Sequence, residues 1–226
     1  MNEPRQILAL AALALAAAGA AAQSLCSSDG QPPPTGMLER FVNADCAGCW
    51  TNLDVPRAAR GEVVLDWIVP GSRGDDAPLS AAARGEGLDR LAALGRAVPH
   101  NDDSRRASRE GRPLPVRVAR GPAVGGYVGA AIELPRGAPV PLRAWLVLVE
   151  ALPPGTERTP VARNLVRNVL ELSWQRTRRP LAESRPMNIP EGADASRLQV
   201  IGIVEDARGH IRGIAQSRCA PPGGKG

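Results

Sequence analysis

Aromatic side chains are scarce: four Trp, one Tyr and one Phe make up 3% of the 226 residues. Core formation therefore falls to Ala, Val and Leu. The same scarcity argues against a single-strand nucleic-acid binder, which interleaves stacking platforms with its basic residues. Lysine is scarcer still. Lys225 is the only one, so arginine carries nearly all the positive side of the net +5 charge. The densest basic stretch, Arg105, Arg106, Arg109 and Arg112, lies among Asn101, Asp102, Asp103, Ser104 and Ser108 and reads as a solvated loop. The two histidines, His100 and His210, both sit beside turn residues, which leaves a serine triad or a histidine-rich metal site short of ligands. There is no Gly-x-Ser-x-Gly elbow, Walker loop or paired His–Glu helix. Heptads, collagen triplets and a second long apolar run are also missing, which excludes coiled coils, triple helices and multi-span membrane proteins.

Glycine and proline are plentiful, 24 and 22 residues, and predict many turns and short strands. One apolar run does occur, Ile7 to Ala22, and it ends in Ala20-Ala21-Ala22. At this length, and mostly alanine, it falls short of a membrane span and reads as a secretory signal over residues 1–22, with Gln23 as the first mature residue. Lipid attachment at Cys26 is the alternative, although Gln23-Ser24-Leu25 does not supply the small residues such a site carries. Export into an oxidising compartment, the periplasm, turns four cysteines into a disulfide framework. Cys46 and Cys49 form a CxxC close enough to pair. Cys26 is then left to pair with Cys219, tying the two ends of the mature chain together in a structural bridge.

Along the chain, a Pro-rich lead (residues 23–34) precedes a strand, Met37 to Val42, which runs into the CxxC. A short helical stretch from Cys49 to Ala59, interrupted or restarted at Pro56, is expected next, then a strand from Glu62 to Val69 stopped by Pro70-Gly71. A helix within Leu79 to Leu94 follows, with Gly95 as its stop. This order is a β-α-β unit. The polar stretch from His100 to Gly111 is the seam. Beyond it come strands at Val116–Ala119, Tyr127–Leu134, Leu142–Glu150 and Leu198–Asp206, with a hairpin through Asp206-Ala207-Arg208-Gly209 to His210–Gln216. Gly121 to Gly126 reads as a turn between strands. Pro160 to Trp174 fits a helix or a strand. Trp67, Trp145 and Trp174 lie in apolar runs and read as core anchors.

A CxxC between a strand and a helix has a defined chemistry. The first sulfur, Cys46, gains from the helix N-terminus as a thiolate, and Cys49, one turn on, resolves the mixed disulfide. The arrangement resembles the thioredoxin-like superfamily. It is similar, more narrowly, to a family of exported proteobacterial proteins of unknown function with a thioredoxin-like N-terminal part and a β-rich C-terminal part. The residues carrying the similarity are Leu38-Glu39-Arg40-Phe41, Cys46-Ala47-Gly48-Cys49, Val63 to Trp67, Arg163 to Leu170 and Val200 through Ala215. The resemblance implies an α/β (α+β) fold, a thioredoxin-like βαβ part over residues 35–110 and a sandwich-like β-rich part over 111–219, with 220–226 a tail. It also implies a thiol–disulfide oxidoreductase acting on exported proteins or a periplasmic thiol partner, without a cofactor and without nucleic acid. A cis-proline would face the disulfide; Pro115 is the first candidate and Pro99 the second. Asp45 stands where thioredoxins carry Trp, and its charge would oppose a Cys46 thiolate. Two further readings stay open. The CxxC can be an inert clip in a non-catalytic binding or structural module, or a Cu(I) site completed by Met37.

Overall fold

The computed structural model describes residues 26–135, 138–175 and 181–219; the expected signal 1–22 and tail 220–226 lie outside them. Among the described residues eleven strands accompany two α-helices. The strands are β1 (Cys26–Ser27), β2 (Gly36–Asn43), β3 (Glu62–Val69), β4 (Asp102–Ser108), β5 (Arg117–Val124), β6 (Tyr127–Leu134), β7 (Leu142–Leu152), β8 (Arg163–Trp174), β9 (Leu181–Asn188), β10 (Leu198–Asp206) and β11 (Ile211–Gln216). The helices are α1 (Ala47–Trp50), between β2 and β3, and α2 (Glu86–Ala93), between β3 and β4. The strands form a seven-stranded sheet, β11-β10-β7-β8-β3-β2-β4, and a four-stranded sheet, β1-β5-β6-β9.

This body is mostly β and sandwich-like, which corrects the expected α/β fold with a thioredoxin-like βαβ unit. A parallel β2–β3 pair does flank the CxxC, but the helix between them ends at Trp50 rather than Ala59. The reason is local: Asn52 folds its side chain back onto the Asp54 N–H, and Pro56 cannot continue a helix. Strands from both sides of the polar seam share the large sheet, and the seam itself supplies an edge strand, β4, paired antiparallel with β2. Its charges are those of a protected edge: Arg96 pairs with Asp103, and Arg106 lies 3.5 Å from Glu62. The ambiguous stretch 160–174 is strand from Arg163 on, because β8 fills the gap between β7 and β3.

The pleat sends alternate residues of the large sheet to two buried faces. Leu146, Leu148, Val200 and Val204 pack against Val118, Val128, Ile132 and Leu134 of the small sheet. The two sheets touch closely at Gly202, where a Cβ would stand 2.6 Å from a Val118 methyl. On the opposite face Trp67, Trp145, Val147, Ile201 and Ile203 are covered by Leu91 of α2, with Leu88 and Leu94 beside it. Burial on both faces explains why β3, β7 and β10 read as nearly continuous apolar runs. Trp67 and Trp145 serve as core anchors, and Phe41 stacks on Trp67 at 6.0 Å.

Charges interrupt this core in pairs. Glu39 and Arg40 are sequence neighbours, so the pleat places them on opposite faces. Glu39 accepts from Arg90 of α2 at 2.8 and 3.0 Å, and Arg90 also donates to Glu205 at 2.7 Å. Trp145 Nε1 donates to the second Glu205 oxygen at 3.1 Å, and the Arg90 guanidinium lies 5.0 Å over the Trp145 ring. Burial works against the Arg90 charge, but Glu39 and then Glu205 raise its pKa above the ordinary arginine value. Replacing Arg90 with Leu leaves two carboxylates buried without their common cation. We expect a loss of about 3–5 kcal/mol in urea unfolding; a loss under about 1 kcal/mol would show that the triad contributes no more than its apolar replacement.

Candidate functional site

The CxxC loop leaves β2 at Asn43, whose side chain ties the turn. Its Oδ1 accepts from Asp45 N–H, and its Nδ2 donates to the Pro99 carbonyl at 2.8 Å. Cys46 then caps a single helical turn, its Sγ accepting from Cys49 N–H at 3.2 Å. Cys46 and Cys49 are disulfide-bonded and both are half-exposed. A helix macrodipole is the sum of many aligned peptides, and four residues supply little of it.

Asp45 ties the loop to the turn that follows β3. Its carboxylate accepts from Ser72 N–H and hydroxyl at 2.8 and 2.9 Å, and from Arg73 N–H at 3.3 Å. Desolvation opposes its charge, but these hydrogen bonds prevail and hold its pKa below the ordinary Asp value of 3.8. Asp45 is therefore ionised one residue from Cys46, and its field disfavours a thiolate there.

The far side of the loop is held from beneath. Trp50 is buried, and its Nε1 donates to the Glu157 carbonyl at 2.8 Å. The Arg163 guanidinium lies 4.4 Å over the Trp50 ring and donates to the Trp50 carbonyl at 2.9 Å. Arg163 is in turn fixed by Asp66, 2.9 Å away. Asp66 also accepts from Arg40 at 2.7 and 2.8 Å and from Asn164 N–H at 2.8 Å. Arg40 reaches back to the Pro56 carbonyl at 3.1 Å. Burial draws the Arg163 pKa below its ordinary value although Asp66 opposes that shift.

The remaining candidates are dispersed. Pro115 does not face the disulfide. Its neighbour Leu114 donates to Arg212 of β11 at 2.8 Å, and β11 is five strands from β2, roughly 24 Å at the usual interstrand spacing. Pro115 sits there because the chain crosses to the small sheet after the seam and opens β5. The one cis peptide bond among the described residues precedes Pro141, so Pro115 and Pro99 are both trans. The Pro99 carbonyl accepts from Asn43 at the base of the loop. Met37 is fully buried near the start of β2, roughly 20 Å up the strand from the cysteines, which rules out the Cu(I) arrangement. His100 is exposed, while His210 lies 3.6 Å from Asp206 and 3.7 Å from Glu110. Among the described residues no cluster of three or more His, Cys, Asp or Glu is placed to hold a metal ion.

The second disulfide joins Cys26 to Cys219 across 193 residues, the pairing expected from the cysteine spacing. Two disulfides are what an oxidising compartment sustains, and no helix among the described residues is long and apolar enough to cross a membrane. Sequence reasoning missed the Asp66 cluster. Its signal was a lone carboxylate inside Val63-Val64-Leu65-Asp66-Trp67-Ile68, a strand otherwise apolar. Compared with protein-family models, curated proteins and solved structures, the chain matches none.

The depressed Asp45 pKa has a definite sign. A carboxylate titrating lower when folded adds stability above its unfolded pKa and loses it as pH falls through the folded value. Asp45→Asn should therefore lower Tm at neutral pH, with the gap to wild type closing below pH 3.8. A gap that stays constant with pH, followed by circular dichroism, would exclude this role for Asp45.

Proposed function

We propose that the chain is an exported, periplasmic, non-catalytic binding module in which Cys46–Cys49 is a structural clip. The observation that carries this reading is the surroundings of Cys46: a single helical turn and an ionised Asp45 next door, with the candidate prolines Pro115 and Pro99 both trans. An oxidoreductase must stabilise its reduced form, as a low-pKa thiolate does. Here the one N–H that reaches Cys46 Sγ is opposed by a carboxylate. Clamping of Trp50 and Pro56 by Arg163 and Arg40 adds to the case, since the clip closes a turn already fixed at both ends.

The surface best suited to binding is a groove of about 730 Å³ between the lead segment and β11, walled by Pro33, Leu114 and Val116 and edged by Arg109, Arg112 and Arg212. Arg109 spends one Nη on the Pro34 carbonyl. Arg212 meets Asp206 only at 3.4 Å, and its Nε has no partner among the described residues. Apolar walls with three guanidinium groups suit an anionic ligand with an apolar body. Thiol exchange at the CxxC is the second reading, favoured by the half-exposure of both cysteines.

Two measurements test the proposal. In glutathione buffers with differential alkylation, Cys46–Cys49 should remain oxidised below about −300 mV; reduction between about −120 and −270 mV would restore the oxidoreductase reading. Anilinonaphthalene sulfonate, an anionic apolar probe, should bind the folded protein, and the double variant Arg112→Glu, Arg212→Glu should weaken it about tenfold or more. Equal binding by the variant would remove the groove.

A further inference from the structure

Five arginines are buried among the described residues: Arg40, Arg90, Arg120, Arg163 and Arg167. Four of them have a carboxylate oxygen within 3 Å. Arg120, only 7% exposed, has no carboxylate within 4 Å among those residues, and its Nε lacks a partner there. It lies on β5 directly across from Cys26 of β1. Its Nη2 is 2.9 Å from Cys26 Sγ and 3.3 Å from Cys219 Sγ. Disulfide sulfur is a weak acceptor and offers little to a desolvated guanidinium. Burial accordingly pulls the Arg120 pKa below its ordinary value.

The two sulfurs differ in access. Cys26 is fully buried, while Cys219 is exposed beside the exposed Arg218. An incoming thiolate can therefore reach Cys219 and not Cys26. The leaving group in that attack is the Cys26 sulfur, which departs as an anion against Arg120. Exchange is fastest when the leaving thiolate is stabilised, and here departure creates the counterion that Arg120 lacks among the described residues. Cys46, beside ionised Asp45, has the opposite surroundings.

We infer that Cys26–Cys219, rather than the CxxC, is the exchangeable disulfide of this protein, opened at Cys219 by an anionic low-molecular-weight thiol and assisted by Arg120. In the first step the external thiolate forms an S–S bond to Cys219 Sγ, the Cys219–Cys26 bond breaks, and its electron pair leaves on Cys26 Sγ. In the second, another thiolate attacks the external sulfur of the mixed disulfide. The external disulfide departs, and Cys219 leaves as a thiolate that water protonates. Two external thiols are oxidised and one protein disulfide is reduced. Opening it removes the covalent tie between β1 and the segment after β11, which the Ser27–Arg218 backbone pair also links.

The test uses the oxidised full-length protein and reduced glutathione, with timed alkylation and peptide mapping of all four cysteines. Glutathione should appear on the Cys219 peptide with Cys26 alkylated. Arg120→Gln should slow this opening about tenfold, Arg120→Lys should stay within about threefold of wild type, and opening of Cys46–Cys49 should keep its rate in both variants. Misfolding would speed exchange, so slowing cannot arise from it. An adduct on Cys26, an equal or faster rate in Arg120→Gln, or a tenfold slowing in Arg120→Lys would each overturn the inference.

Discussion

One carboxylate, Asp66, holds together the part of the large sheet where parallel and antiparallel pairing meet. It accepts four hydrogen bonds, from two arginines and a backbone amide. Through them it joins β2, β3 and β8 at a seam where β3 and β8 share a single backbone register pair. The side-chain bonds do there what a ladder does elsewhere. Remove the carboxylate and Arg40 and Arg163 face each other in the interior without their shared counterion, and Arg40 already lowers the Arg163 pKa. The CxxC loop inherits its rigidity from this cluster, since Trp50 and Pro56 are held by the two arginines that Asp66 orients. Buried ion clusters are weak sources of net stability but strict about geometry, and strictness is what this seam requires.

Strands β3, β6, β7, β10 and β11 were legible because each buries a patterned apolar set between turn residues. The Asp206–Gly209 hairpin was legible from turn chemistry, with Asp206 accepting from Arg208 and His210 amides and Gly209 at a positive φ of 78°. The disulfide pairing followed from spacing. What failed was length and partnership. Pro56 marks an interruption in the sequence, but the Asn52–Asp54 turn that already stops α1 after one turn is a side-chain contact the sequence does not announce. β4 reads as a loop because its residues are polar, yet an edge strand beside β2 buries little and needs no apolar face. The assembly of β2, β3 and β4 with β7, β8, β10 and β11 into one sheet depends on contacts between distant residues, and no local pattern records those. Arg120 was equally silent, an arginine after two apolar residues with nothing near it in sequence to suggest sulfur.

The two disulfides show how much the surroundings of a cysteine decide beyond its motif. The CxxC has the familiar spacing and a hostile field: Asp45 ionised, one amide donor and no extended helix. The terminal bridge has no motif at all, and a desolvated guanidinium stands against its buried sulfur. Spacing governs which sulfurs meet. Electrostatics governs which bond is easily opened.

Asp66 also matters before the sheet is complete. Arg163 lies 97 residues further along the chain, so β2 and β3 emerge and pair long before β8 arrives. During that interval β3 is an open edge of apolar residues, the kind of surface on which a second copy of the chain could add a strand. The carboxylate in its middle, held on one side by Arg40 of β2, keeps water at its remaining acceptor positions until Arg163 comes. A foreign strand docked there would bury the Asp66–Arg40 pair without the Arg163 guanidinium and Asn164 amide that complete it. The residue that locks the finished sheet thus guards the unfinished one against self-association.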